Sequence, residues 1–197
     1  MHDAASGGMS PVEGLQALVE GNCRYVAGEA AHPRQDASRR GELVSGQHPF
    51  AIVIACSDSR APVELLFDCG FGDLFVIRTA GHILDEAVLA SAQYAAEHLG
   101  TRLIVVLGHS NCGAVKSVVE NAVADGHLGS ALEKLKPIVP AAAARVGKHG
   151  DLVAAAVTVN IENAVATLKA LPWAKELDGL EVVGMRYDLK SGQVAGI

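Results

Sequence analysis

Two short stretches place reactive side chains where strands should end. AIVIACSDSRAP, residues 51–62, starts with five consecutive apolar residues, read as a strand buried on both faces, and then supplies Cys56, Asp58 and Arg60 within five positions. LIVVL, residues 103–107, runs straight into Gly108-His109-Ser110-Asn111-Cys112-Gly113. A buried charge without a partner is costly, so such clusters are either mutually satisfied or held for chemistry. Taken singly, a cysteine at a strand end is ordinarily a small core hydrophobe and a histidine in a turn is ordinarily just hydrogen-bonded. Taken together, a His-x-x-Cys pair and a Cys-x-Asp pair offer two thiolates, an imidazole and a carboxylate, the nitrogen, sulfur and oxygen donors that zinc prefers.

Two other chemistries fail on spacing. A cysteine phosphatase loop needs its arginine six positions after the cysteine, and Arg60 is four after Cys56. GHSNCGAV has glycines at P-loop separation, Gly108 and Gly113, but continues with Ala114-Val115 where Lys-Ser/Thr is required. Gly113 keeps a different use, since a glycine opening a helix lets a backbone N–H approach a small anion or oxygen.

The elements that must carry these residues are legible in outline. FAIVIA (50–55), LFVIRT (74–79), LIVVL (103–107) and LEVVGMRY (180–187) are short, β-branched runs, separated by helical stretches such as Ala87–Leu99 and Asp151–Leu171. Strands alternating with helices predict an α/β fold with a central, mostly parallel sheet flanked by helices, and in such sheets functional groups gather at the carboxyl ends of strands. The closing YDLKSGQVAGI, with Ser191-Gly192 between apolar runs, reads as a hairpin. Upstream, SPVEGLQALVEGNCRYVAG has Ser10 as N-cap, Pro11 at the first helical position, Glu13 completing a capping box, and Leu15, Leu18 and Val19 at helical spacing. This is an N-terminal helical arm. Glu29–Gln47 shows no apolar period and reads as a surface linker or short polar helix. One domain over residues 1–197 is expected, with arm and linker in 1–48 and the zinc-binding core in 49–197.

Composition limits the partners. The chain has 197 residues, is 50% hydrophobic and carries a formal net charge of −6, so no basic footprint points to nucleic acid or an anionic membrane surface. MHDAASGGMS lacks a secretory signature, and no apolar run of about 18 residues stands out. A cytoplasmic location is expected. In that compartment the four cysteines serve metal or catalysis rather than disulfides, with Cys23 and Cys69, which have no ligand partners nearby in sequence, read as structural. His2, His32, His48, His98, His127 and His149 follow no ligand spacing.

CSDSR followed about fifty residues later by GHSNCG resembles the β-class carbonic anhydrases, densely over Pro49–Val118 and more loosely over the arm and the closing YDL strand. The resemblance implies reversible hydration of carbon dioxide to bicarbonate and a proton by metal-bound hydroxide. It makes Cys56, His109 and Cys112 permanent ligands of one zinc per chain. Asp58 becomes either a fourth ligand or the acceptor for the hydroxide, and Arg60 its bidentate partner. The substrate pocket of the family maps onto Gln47, Phe75, Tyr94 and the backbone N–H of Gly113; for Phe75 and Tyr94 a core role, and for Gln47 a surface loop, are the plain alternatives. His82, in RTAGHI, is either a proton shuttle or a polar turn residue. Val53 and Ile54 stand where some members carry a tryptophan serving a second bicarbonate site, and the sole tryptophan here is Trp173, so the chain resembles the type without that inhibitory site. Two thiolates neutralise the charge of zinc, so activity at mildly alkaline pH is expected. A homodimer or homotetramer is expected from the arm and from the family. A related zinc hydrolase acting on carbonyl sulfide or carbon disulfide shares every ligand, and a non-catalytic zinc protein requires a permanently closed fourth position.

Overall fold

The structure is a computed structural model describing residues 8–147 and 150–197. His2, His149 and most of the stretch read for a leader lie outside the described residues. The first helix, α1 (Pro11–Ala27), begins at the capping box as expected: Ser10 Oγ accepts from the Glu13 N–H, and Glu13 Oε2 accepts from the Ser10 N–H at 2.8 Å. It ends at Gly28 in the left-handed region. A Cβ on Gly21 would lie 1.9 Å from the Phe67 carbonyl oxygen, so only glycine lets α1 pack this close.

The segment after α1 is not a free linker. Buried Asp68 accepts hydrogen bonds from the Ala31 and His32 N–H groups, both 2.9 Å, and from Arg24 Nε at 2.6 Å. Buried Asp73 takes a bidentate grip from Arg34 and a bond from the Gly70 N–H. Carboxylates so far from solvent require full sets of donors, and drawing those donors in fixes the chain on the body. Only then comes a short polar helix, α2 (Ala37–Glu42), capped by Asp36.

The sheet contains β1 (Ala51–Cys56), β2 (Leu74–Thr79), β3 (Leu103–His109), β4 (Glu181–Tyr187) and β5 (Val194–Gly196) in the order β2-β1-β3-β4-β5. The first four strands are parallel and β5 closes an antiparallel hairpin with β4. Alternation along β1 and β3 divides two cores. Ile52, Ile54, Ile104 and Val106 face one of them, together with α4 (Glu86–His98), α5 (Gly113–Val119) and α8 (Leu152–Ala170). Val53, Ala55, Val105 and Leu107 face the other, with α1 and α3 (Val63–Leu66). Three further α-helices, α6 (Gly126–Leu135), α7 (Ile138–Val146) and α9 (Pro172–Glu176), and two short 3-10 turns, Leu43–Ser45 and Ala80–His82, complete the described elements.

Helix α8 is long and apolar enough by composition to cross a bilayer, although polar residues interrupt its apolar run. Here it lays Ala156, Val157, Ile161, Ala164 and Leu168 against the sheet. Buried Asn22 joins the arm to the hairpin, donating to Leu66 O and Gly192 O and accepting from the Val194 N–H.

Candidate metal centre

β1 leads out to β2 on one side and β3 begins the walk to β4 on the other, so the sheet changes direction between β1 and β3. Crevices at such switch points, beyond the carboxyl ends of the strands, are where α/β sheets bind ligands. Cys56 is the last residue of β1 and His109 the last of β3, in parallel register with Ala55 opposite Leu107. Cys112 follows as the N-cap of α5. Cys56 Sγ, Cys112 Sγ and a His109 ring nitrogen all lie within 4.8 Å of one another, and all three residues are buried.

Three observations test whether a metal suits this cluster. The two sulfurs are 3.9 Å apart, and two thiolates on a tetrahedral zinc at about 2.3 Å stand about 3.8 Å apart. His109 Nδ1 is 2.9 Å from Ser110 O, so it carries the ring proton and donates there, as metal-bound histidines do with their outer nitrogen. In the neutral ring that leaves Nε2 as a lone pair, buried and without a hydrogen-bond partner among the described residues. The donor set fits a soft or borderline divalent ion such as zinc.

The sulfurs share charge unequally. The hydrogen bond between the two sulfurs lowers Cys56, against the burial that opposes ionisation, and a hydrogen bond from the Gly81 N–H adds to this. Cys112, holding the shared proton, is pushed up. Burial disfavours the His109 cation, but Cys56, the Ser110 carbonyl and Asp58 together outweigh it and the net shift is upward. A metal therefore enters by displacing protons.

Asp58 and Arg60 stand at the edge of the cluster. Arg60 Nε and Nη2 grip Asp58 Oδ1 and Oδ2 at 2.9 and 2.7 Å, and the Arg60 N–H adds a third bond. This grip holds the Asp58 carboxyl well below the usual carboxylate range, burial opposing it. Asp58 Oδ2 lies 3.8 Å from His109 Nε2, beside the three-residue group rather than within it. Gly113, next to Cys112, opens α5 with its Cα exposed.

The remaining expected pocket residues are not gathered here within one chain. Phe75 pairs with Ile52, four residues before Cys56, about 13 Å along the strand. Phe75 and half-exposed Tyr94 pack ring to ring at 6.4 Å on the β2 side, where Tyr94 also meets His98. Gln47 is exposed and borders a groove of about 450 Å³ with Leu43, Val44 and Phe71. His82 is no exposed turn residue: it is 3% exposed, in left-handed backbone, pushed down to about 4 by burial, with Nε2 2.9 Å from Asn160.

Two polar residues of this region carry no motif. Arg78 donates to Cys56 O at 2.9 Å and to Asp58 O at 2.6 Å, fixing the loop after β1. An arginine near the end of an apolar strand was its only sequence signal, and an asparagine at a core-facing position of an apolar helix was that of Asn160.

An α/β fold with a Cys-His-Cys cluster at its switch point and an Asp-Arg pair beside it defines a metal-site protein of carbonic anhydrase type. The family model described as carbonic anhydrase matches residues 51–194. A carbonic anhydrase of Mycolicibacterium smegmatis is 39% identical over 190 residues, covering 94% of this chain and 92% of that protein. Carbonic anhydrase 2 of Mycobacterium tuberculosis is 40% identical over 194 residues, covering 93% and 91%. Among solved structures, one of two tetrameric β-carbonic anhydrases from Sordaria macrospora superposes with a TM-score of 0.77 at 27% identity, covering 94% of this chain and 97% of that one. The chain belongs to the β-carbonic anhydrase family.

Proposed function

We propose that this protein catalyses the reversible hydration of carbon dioxide to bicarbonate with zinc held by Cys56, His109 and Cys112. The observation that carries the reading is the buried pair of sulfurs and the unpartnered His109 Nε2 at the β1/β3 switch point. The chemistry zinc supplies when bound is to acidify water so that hydroxide is available near neutral pH.

The residues of the chain do the rest. Asp58, kept ionised by Arg60, presents a carboxylate acceptor at the edge of the cluster and orients the attacking water through a hydrogen bond. Arg78 keeps the Asp58 backbone in place from behind. Gly113 contributes a backbone N–H to a substrate oxygen, and Gln47, Phe75 and Tyr94 form the rest of the pocket. Because those three lie away from Cys56 in a single chain, a second copy must supply them to the site. The edge strand β2, rich in apolar residues, and exposed Val44 and Phe71 are surface that such a copy would cover. The tetrameric Sordaria macrospora relative supports a homo-oligomer. Four free thiols agree with the reducing cytoplasm.

The test is stopped-flow carbon dioxide hydration on purified protein, with metal analysis of the same sample. Hydration that tracks zinc content is expected. Turnover of carbonyl sulfide or carbon disulfide with no carbon dioxide hydration, or full zinc with no turnover, would overturn the proposal.

A further inference from the structure

The corner between β2 and α4 is built in an unfavourable conformation. Gly81 and His82 both have positive φ, 63° and 46°, and the left-handed region costs a non-glycine residue such as histidine. A Cβ on Gly81 would meet Leu135 Cδ1 at 3.0 Å and Ala114 Cβ at 3.2 Å. Something must hold this corner. Besides the local bonds of Thr79 Oγ1 to Ile83 O and of the Ile83 N–H to Ala80 O, one distant residue does so: Asn160, buried in the middle of α8. Its side-chain amide donates to Gly81 O at 2.9 Å and lies 2.9 Å from His82 Nε2. The amide carries two hydrogens, so while one goes to Gly81 O the other faces His82 Nε2. On its other side the same corner aims the Gly81 N–H at Cys56 Sγ, 3.3 Å away.

We propose that Asn160 is a positioning residue for the metal centre, clamping the Gly81–His82 corner so that the Gly81 N–H donates to the Cys56 sulfur. Asn160 is not among the three ligating residues and acts through one residue, Gly81, whose carbonyl it holds and whose N–H meets the sulfur. An N–H aimed at a thiolate fixes the sulfur's position and draws charge from it. Outer partners of this kind typically set metal affinity by 10–100-fold. The inference rests on the reading that Cys56, His109 and Cys112 hold a metal.

The experiment uses the full-length protein loaded with cobalt(II), with Asn160→Leu and Asn160→Asp as variants and Asn163→Ala, on an exposed face of the same helix, as control. Both Asn160 variants are expected to bind metal about 10–100-fold more weakly in chelator competition. Their sulfur-to-cobalt charge-transfer band is expected at lower energy, because the thiolate has lost a donor. Asn163→Ala should match wild type. A purely structural asparagine would lower the melting temperature and leave band and affinity unmoved, and that result in a folded variant overturns the proposal. The wild type decides the matter even where the variants fail to fold. Loaded with cadmium-113, it should show a through-hydrogen-bond coupling from the Gly81 amide proton to the metal and one from the Asn160 side-chain nitrogen to the Gly81 carbonyl. Absence of either overturns the clamp. Wild type that takes up neither cobalt nor cadmium instead sinks the metal reading beneath it.

Discussion

Cys56 Sγ and Cys112 Sγ are 56 residues apart in the chain and 3.9 Å apart in space. Two adjacent parallel strands that end at one level make this contact, and α5 begins where the second strand stops. With His109 Nε2 they form a three-donor set, so Cys56→Ser, His109→Ala and Cys112→Ser should each reduce zinc from about one per chain to a trace. Elemental analysis of the purified variants checks this; full zinc in any one removes that residue from the ligand set.

Removing the metal should change which thiols react. Cys23 is exposed, whereas burial pushes Cys69 up to about 12, so Cys69 stays a protonated thiol at any ordinary pH. Mass spectrometry after alkylation of the zinc form should find Cys23 alone modified. After chelation the Cys56–Cys112 pair, no longer covered by metal, should join it, and Cys69 should stay silent in both. Protection of Cys56 that survives complete metal removal would contradict the ligand assignment.

Arg60→Ala should lower carbon dioxide hydration by about 10–100-fold while zinc stays bound, because Arg60 orients a neighbour of the metal without ligating it. Since Arg60 holds the Asp58 carboxyl well below its ordinary value, Asp58 stays ionised at both pH about 6 and pH about 9. Any activity change across that window in wild type therefore arises elsewhere than in Asp58 protonation. X-ray absorption at the two pH values, in wild type and Asp58→Ala, reports whether the carboxylate moves onto the metal at the lower pH. A shell identical in the two proteins at both values would leave Asp58 with only its hydrogen-bonding role.

Arg24→Ala should destabilise the protein by about 2 kcal/mol, less than for a fully buried pair, because 39% of the Arg24 side chain is exposed against 1% for Asp68. Burial raises the Asp68 carboxyl, but the Ala31 N–H, Arg24 and the His32 N–H together bring it below its ordinary value. A depressed folded value contributes stability that is fully present above the unfolded pKa of about 4 and is lost as pH falls through the folded one. The gap between wild type and Arg24→Ala should thus be full at neutral pH and narrow below about pH 4. Denaturant midpoints across that range test it, and a gap independent of pH would place the stabilisation in packing instead.

Light scattering at micromolar concentration should give the mass of a dimer or tetramer. Tyr94→Ala should lower turnover and keep zinc, as expected for a pocket residue outside the ligand set. A monomer with full activity would show that one chain suffices, and would remove Gln47, Phe75 and Tyr94 from the site.

What the sequence determined is what short-range physics encodes. Ser10 and Glu13 can cap only a helix that starts between them. The runs 51–55 and 103–107 are too short and too β-branched for anything but buried strands, and the cysteines, histidine and aspartate at their ends, taken together, pointed to the donor set of a metal such as zinc. Tertiary structure alone decided which strands lie side by side, and so brought the Cys56 end of β1 against the His109 end of β3. It also tied down, through Asp68 and Asp73, the first part of a segment read as a surface linker or short polar helix, whose polar helix α2 does form, and it buried His82 against Asn160. Gln47, Phe75 and Tyr94, which one motif resemblance had grouped, it left on another part of the chain's surface. The physical reason is common to all of these. Helix and strand signals come from neighbours three or four residues apart, whereas a buried polar group is satisfied by a donor from a distant element. The identity of that donor is written in no local pattern.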